Sequence, residues 1–571
     1  MSRLSIFAFF IHVGPLMSFD PASAGSEPLP DGTVYEDPPQ HADGSQADGS
    51  QAASPVDPAD PVGLHRSDSN RAEPLSLLDH VLSQEAGASS STDDWLDRFL
   101  QSDDLVEQIR LLFGADCQLD RREISRQLNH QVAEIDEILN EQVNAILHHK
   151  AFQKLEASWR GLRYLVDQAA RYGADGVRIR VLHLSWRELT RDLERAPEFD
   201  QSQLFRKVYE DEFGTPGGQP YGMLIGDYEI HPRPTEDHPF DDIKTLKEIS
   251  SVAAAAFCPF ITSVSPAMFG LNDFSGLQHV ENLSRGFEGA EFIKWRAFRE
   301  LDDARFVGLT LPRVLMRRPW AHDPHRSDHF CFEEDTAARD RNKYLWGNAA
   351  YAYGEVAIRA FAQSGWLAEI RGVQRDLEWG GLVTGLAVDS FGTDREGVAP
   401  KSSTEVTISD LQESSLSNLG FLPLSHCWDT EYAAFYSSQS TQKPRKYDRV
   451  LATQNAKISA MLHYVLCVSR FAHYLKVIAR DKIGSNLTPE DCQKYLDRWI
   501  KNYVTPDDQA AQETKARRPL RGADIRIITD PSKPGNFLCT MNLWPHYQLD
   551  DLTASVRLNT SLKPMGGVER S

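Results

Sequence analysis

The stretch from Tyr221 to Gly270, YGMLIGDYEIHPRPTEDHPFDDIKTLKEISSVAAAAFCPFITSVSPAMFG, limits the fold more than any other part of the chain. Tyr221 to Tyr228 is a short apolar run closing on Gly226-Asp227, which suits a buried strand ending in a turn. Asp241 and Asp242 then offer an N-cap and first-turn negative charge to a helix through Ile243, Leu246, Ile249, Val252 and Ala253. Ala253 to Ala256 add little bulk, so a neighbouring element can approach closely. Pro259 stops the helix, and Phe260 to Val264 reads as a second buried strand. Two apolar strands flanking a helix require a sheet covered on both faces. The expected class is α+β, with mixed sheets and packed helices. No side chain in this stretch forms a catalytic set, so it reads as a packing element.

Composition narrows the function. The 571 residues allow two or three domains, and 41% hydrophobic content allows a sizeable core. The net charge of −21 argues against general nucleic-acid binding. Much of that charge sits between Asp31 and Asp104, which holds sixteen acidic and three basic side chains. The seven cysteines are scattered and never form a CxxC pair, which fits buried thiols in a reducing compartment better than a disulfide framework.

Along the chain, Arg3 precedes the apolar run LSIFAFFIHVGPLM, and Ala22-Ser23-Ala24 has the form of a cleavage site. The residues alone fit either a signal-like segment or an unstructured leader from an upstream start. The run is too short for a comfortable membrane span. Pro21 to Arg71 is low complexity and reads as a disordered tether. Leu75, Leu77, Leu78, Val81 and Leu82 then lie along one side of a short helix, and Asp93 to Leu100 suggests another. Helices this short need something to fold against, whether their own domain or a partner.

From Leu105 to Tyr172 the 3–4 spacing is strongly helical, through Ile124, Leu128, Ile135, Leu139, Val143 and Ile146, then Phe152, Leu155, Trp159, Leu162 and Val166. Adjacent His148 and His149 point to different faces and do not form a metal pair. Val177 to Leu184 alternates as a strand, Trp186 to Glu194 is helical, and Phe306 to Thr310 and Glu405 to Ile408 read as strands. Leu345 to Trp366 is an Ala-rich helix closed by Gly365. Residues 410–420 form a helix ending before Gly420, and Ala456 to Arg480 reads as one long buried helix. The glycines from Gly380 to Gly385 lack the Lys-Ser/Thr ending of a phosphate loop and read as a turn. The last seventy residues change to strand period at Ile525–Ile528, Asn536–Leu543 and Ala554–Asn559, with Pro534-Gly535 as a turn. Edge strands at a chain end suit either a self-contained sheet or pairing with another chain.

No metalloprotease, nucleophile-elbow, phosphate-loop or dinucleotide motif is present. The acidic clusters at Asp302-Asp303 and Glu333-Glu334-Asp335 read as solvated or salt-bridged faces. No catalytic, cofactor-binding or metal residues are assigned. Arg313, Arg317 and Arg318 could meet carboxylates of another subunit or pair within the chain.

An ordered set of segments nevertheless resembles one family, the large subunit of the type VI secretion contractile sheath (TssC/VipB). It comprises YGMLIGDYEI with DDIKTLKEISSVAAAAFCPFI, then LDDARFVGLTLPRVLMRRPW, FCFEE, YLWGNAAYAYGEVAIRAFAQSGW and GGLVTGL. EVTISDLQESSLSNLGFLPL, TQNAKISAMLHYVLCVSRFAHYLKVIARDKIGS, LDRWIKNYV, ARRPLRGADI and PHYQLDDLTASVRL follow in order, so the set covers roughly Asp104 to Leu562. Phe257-Cys258 stands where the family usually has His-Ala, and Leu462-His463-Tyr464 where it has Leu-Pro-Tyr.

The resemblance implies a contractile tail-sheath-like fold and a structural, non-enzymatic role. It divides the chain into a disordered acidic tail (1–104), a helical region docking the small sheath subunit (105–215), an α/β sheath core (216–400) and a C-terminal sheath domain (401–571). Family partners would be the small sheath subunit (TssB/VipA type), further copies of this chain, an inner tube protein (Hcp type), a baseplate and a ClpV-type AAA+ unfoldase. Nucleic acid, membrane insertion and cofactors have no place in that role, and the cytoplasm is the implied location. The unfoldase would grip the helix carrying Leu75, Leu77, Leu78, Val81 and Leu82. The competing readings are a sheath subunit of a phage-tail-like injection particle and an enzyme without a recognisable motif.

Overall fold

The computed structural model describes residues 7–13, 98–113, 120–280, 282–323, 325, 330–336, 340–374, 377–391, 402–428, 430–482, 488–507, 509–529 and 537–546. The chain divides into two compact units, Met1–Ser2 with Leu16–Glu123, and Arg3–Pro15 with Ile124–Ser571. In the first, Gln108 of helix α1 (Leu105–Phe113) reaches back to donate to the Ser102 carbonyl at 2.6 Å. The predicted helix at Leu75–Leu82 lies outside the described residues.

The second unit is built on a six-stranded sheet. Its strands are β1 (Phe7–Val13), β2 (Val177–His183), β3 (Tyr221–Ile230), β4 (Phe260–Val264), β5 (Val307–Leu311) and β6 (Leu422–Pro423), in the order β2-β1-β3-β4-β5-β6. From β3 to β6 all pairings are parallel, with Leu224 opposite Phe260, Phe260 opposite Val307 and Thr310 opposite Leu422. Parallel strands need cover on both faces. The principal helices of this unit are α2 (Arg121–Leu147), α3 (Lys150–Arg171), α4 (Trp186–Arg195), α5 (Asp242–Ala255), α6 (Ala350–Ser364), α7 (Leu462–Asp481) and α8 (Pro489–Lys501).

Helix α5 covers one face. Ile243, Leu246, Ile249, Val252 and Ala253 join Leu224, Tyr228, Phe260 and Val264 in a single cluster. Alternate strand residues Met223, Ile225 and Ile261 point the other way, into a cluster with α6 and Leu165 of α3. Helix α6 is buried on every side from Ala350 to Ala360, and its two charged residues there, Glu355 and Arg359, pair with each other. Gly161 of α3 allows the close approach of Tyr351, since a Cβ there would lie 2.4 Å from the ring. A third cluster joins α7 and α8 to β7 (Leu520–Thr529), which pairs antiparallel with β8 (Phe537–Pro545).

The Tyr221–Gly270 expectation matches β3, α5 and β4, including the Asp241 cap, whose carboxylate accepts from the Lys244 N–H at 3.3 Å. Cys258, Cys427, Cys467, Cys492 and Cys539 carry free thiols. Among the described residues no helix is long and apolar enough to cross a membrane.

Three readings need correction. The apolar N-terminal run, expected to be a leader or signal-like segment in a disordered tail, supplies β1, antiparallel to both β2 and β3. The helix expected over Ala456–Arg480 is two helices, Val450–Ser459 and α7. The break occurs because Met461 turns extended and neighbouring chain takes the backbone, with Leu462 N–H donating to Ser438 O and Ser440 N–H to Ala460 O. The strand expected at Glu405–Ile408 is irregular chain beside a single bridge between Val314 and Thr404. Other bonds compete with a ladder there: locally, Thr404 Oγ1 donates to Val406 O at 2.9 Å, and from distant chain Phe274 N–H donates to the Glu405 carboxylate at 2.9 Å. The third predicted strand, Ala554–Asn559, lies outside the described residues.

Candidate functional site

Helix α2 is the most exposed element of the second unit. It spans 27 residues and has none buried. Its polar face holds the neighbouring segment in extended form. Asn140 donates to Cys331 O at 2.8 Å and accepts from Glu333 N–H at 3.3 Å, while Asn144 accepts from Asp335 N–H at 2.9 Å. Another face carries Leu128, Val132, Ile135, Leu139 and Ile146, all 43–54% exposed. With Gln142 these residues repeat at steps of 4, 3, 4, 3 and 4, the spacing of a coiled-coil seam. Among the described residues no helix packs along it.

The segment clipped by α2 leads into a buried charge network. Arg317 donates Nε to Glu156 Oε1 at 2.7 Å and Nη2 to Glu334 Oε1 at 3.1 Å. Arg160 also donates to Glu156, and His148 Nε2 stands 3.5 Å from Glu334. Burial pushes the Glu156 carboxyl up, but hydrogen bonds from Arg317 and Arg160 more than reverse this and hold it below its ordinary value. Arg313 forms a two-toothed pair with Glu229 at 2.6 and 2.8 Å and reaches toward Glu405. Arg318 is exposed, with its Nε donating to Val388 O. Of the three arginines considered for subunit contacts, Arg313 and Arg317 are thus engaged with carboxylates of their own chain, and Arg318 faces outward.

The β7–β8 hairpin is the second assembly-type surface. Along β8, Phe537, Leu538 and Trp544 are exposed, and among the described strands β8 pairs only with β7. No described strand pairs with its outer backbone edge, and an edge of that kind can accept another strand.

One cluster escaped the sequence reading. His231, His238 and Asp242 bring three ligand-type atoms within 4.8 Å of one another. Their i, i+7, i+11 spacing would suit one face of a helix, but Pro232, Pro234 and Pro239 forbid a helix through the segment, and a loop fold joins them instead. Elsewhere the histidines have other uses: the His149 side chain caps α3, and His473 bonds Ala256 O at 3.0 Å.

Two family models match the chain: the VipB tail sheath N-terminal domain (EvpB/VC_A0108) over residues 129–442, and the VipB tail sheath gpW/gp25-like domain over 451–562. A curated relative, the type VI secretion system sheath protein TssC1 of Pseudomonas aeruginosa, is 42% identical over 434 residues, covering 76% of this chain and 85% of that protein. Among solved structures, the anti-feeding prophage baseplate aligns over 56% of this chain and 67% of its own at 9% identity, with TM-score 0.31. The contracted helical sheath of the same particle gives 56%, 68%, 9% and 0.26. The two VipB models and the 42% identical relative show the family: the chain belongs to the VipB (TssC-type) large subunits of the type VI secretion sheath.

Proposed function

We propose that α2 docks the small sheath subunit, and that the resulting pair builds the helical cylinder around the inner tube. The observation carrying this reading is the heptad seam from Leu128 to Ile146, exposed along a helix that buries nothing. A matching helix with apolar residues at 3–4 spacing is the partner such a seam accepts. The open edge of β8 takes a strand from a neighbouring subunit, which keeps the lattice joined while subunits rotate during contraction. Of the three arginines, the exposed Arg318 would meet a carboxylate across such a boundary. The work of contraction lies in these interfaces and involves no substrate turnover. The cylinder assembles in the cytoplasm on a baseplate, and its contraction drives the inner tube outward. A ClpV-type unfoldase then recycles it by gripping Leu75, Leu77, Leu78, Val81 and Leu82.

Co-expression with the small subunit and negative-stain electron microscopy test this. Tubules with a cogwheel cross-section are expected only when both chains are present, and monomers indifferent to the partner would refute the reading. The same tubules test recycling. Unfoldase with ATP should dissolve wild-type tubules and leave Leu78→Asp/Leu82→Asp tubules intact; equal rates would rule out the helix as the grip.

A further inference from the structure

We propose that His231, His238 and Asp242 form a binding site for a divalent transition-metal ion, of the tetrahedral kind that suits zinc, which clips the loop between β3 and α5. The loop is built to bring the two rings together. Pro232, Pro234 and Pro239 restrict its backbone. Thr235 and His238 exchange backbone hydrogen bonds at 2.9 and 3.2 Å, folding the segment into a tight hairpin. Histidines seven residues apart in sequence thereby stack with ring centroids 4.4 Å apart.

Asp242 lies beneath them at the start of α5, with a side chain that is fully buried. Two neutral donors fix its orientation, Trp186 Nε1–H to Oδ1 at 2.6 Å and His231 N–H to Oδ2 at 2.8 Å. Such outer bonds are what hold a carboxylate ligand in place. Among the described residues its ion-pair partners are the two imidazoles alone, at 3.4 Å for His231 Nδ1 and 2.6 Å for His238 Nε2. A buried carboxylate of this kind calls for compensating positive charge.

A hydrogen-bonded trio explains His238, whose Nε2 contacts Asp242 Oδ1 directly. It does not explain His231. Nδ1 of that ring is buried 3.4 Å from the carboxylate, but it is not aimed at the oxygen and makes no hydrogen bond. Bonds of about 2.1 Å to a tetrahedral ion place neighbouring ligand atoms roughly 3.4 Å apart. The His231 Nδ1 to Asp242 Oδ2 separation of 3.4 Å already has that value. His238 Nε2, which donates its N–H to Oδ1 in the metal-free chain, would pass to the Nδ1–H tautomer and turn the freed Nε2 lone pair to the ion. Both rings are about one-quarter exposed, at 24% and 22%, so an ion can enter from solvent and keep a water as its fourth ligand. Two imidazoles and one carboxylate favour zinc, cobalt or nickel over calcium or magnesium. The ion would be structural, tying the end of β3 to the first turn of α5.

The test uses the full chain, free of any histidine tag and stripped with a chelator, titrated with cobalt(II). The expected result is the intense visible absorption of tetrahedral cobalt, displaced by one equivalent of zinc, with zinc also raising the thermal midpoint. His231→Ala and His238→Asn should each weaken cobalt binding tenfold or more. The asparagine retains a donor toward Asp242, so the metal-free thermal midpoint of His238→Asn should stay near wild type and separate lost coordination from lost folding. Absence of the tetrahedral band in the wild-type chain, or a band of unchanged affinity in both variants, would overturn the proposal.

Discussion

Glu355 sits at the middle of a helix with no exposed face, paired to Arg359 at 2.9 Å one turn along and accepting from the Tyr172 hydroxyl at 3.2 Å. Arg359 Nη2 donates to the carbonyls of Gly380 and Leu382. Burial outweighs the arginine and pushes the Glu355 carboxyl up to about 7 from 4.5. A carboxyl whose folded value is raised gives its full stabilisation below the unfolded value and loses it as pH rises through the folded one. The chain should therefore lose stability between pH 5.5 and pH 8 through this group. Glu355→Gln, which mimics the protonated form, should gain roughly 1–3 kcal/mol on the wild type across that interval. Urea unfolding at the two pH values measures the difference, and a gap that does not change with pH would show that Glu355 does not titrate there. None of this was visible in the sequence. A Glu and an Arg four apart on an Ala-rich helix read the same whether the helix is buried or exposed, and only the packing of α3 against α6 distinguishes the two.

At the scale of elements, the sequence was most informative where one local signal had no competitor. The Asp241 cap, the Gly365 and Gly420 helix ends and the apolar β3 and β4 runs all appear as expected. It failed where distant chain took over the backbone, as at Met461, where residues 438–440 split one helix into two. The usual Leu-Pro-Tyr of the family at that place marks a helix start, and His463 in this chain removes the signal. Helix α2 is a different case, because its periodicity was legible but its exposure was not. Apolar residues at helical spacing ordinarily mean a buried face, whereas this seam is exposed. Replacing Leu128 and Ile135 by Asp should accordingly leave the thermal midpoint of the isolated chain within a few degrees, since exposed substitutions cost about 0.5 kcal/mol or less. The same change should abolish co-purification with the small subunit. Unaltered co-purification would place the docking surface elsewhere. The histidine cluster was illegible for another reason, since the prolines around His231 and His238 forbid the helix that would join residues seven apart, and the Thr235–His238 hairpin makes the connection.

At the scale of the whole molecule, β1 occupies an unusual place. It is the second strand from one edge of the main sheet, and both of its neighbours come from much later in the chain. Removing residues 1–15 would leave the facing edges of β2 and β3 unpaired along seven and five positions. Unpaired strand edges recruit other chains. The truncated protein should therefore elute as aggregates on size exclusion unless a strand is supplied in trans, and a synthetic Phe7–Val13 peptide should restore the monomer. A monodisperse truncated chain would show that the slot closes by itself. The arrangement also sets an order of events during synthesis. Phe7–Val13 leaves the ribosome before the bulk of the sheet exists, and its slot is complete only once Ile230 has emerged. For that interval an apolar strand waits without a partner, and the sheet is finished by a segment made long before it can be placed.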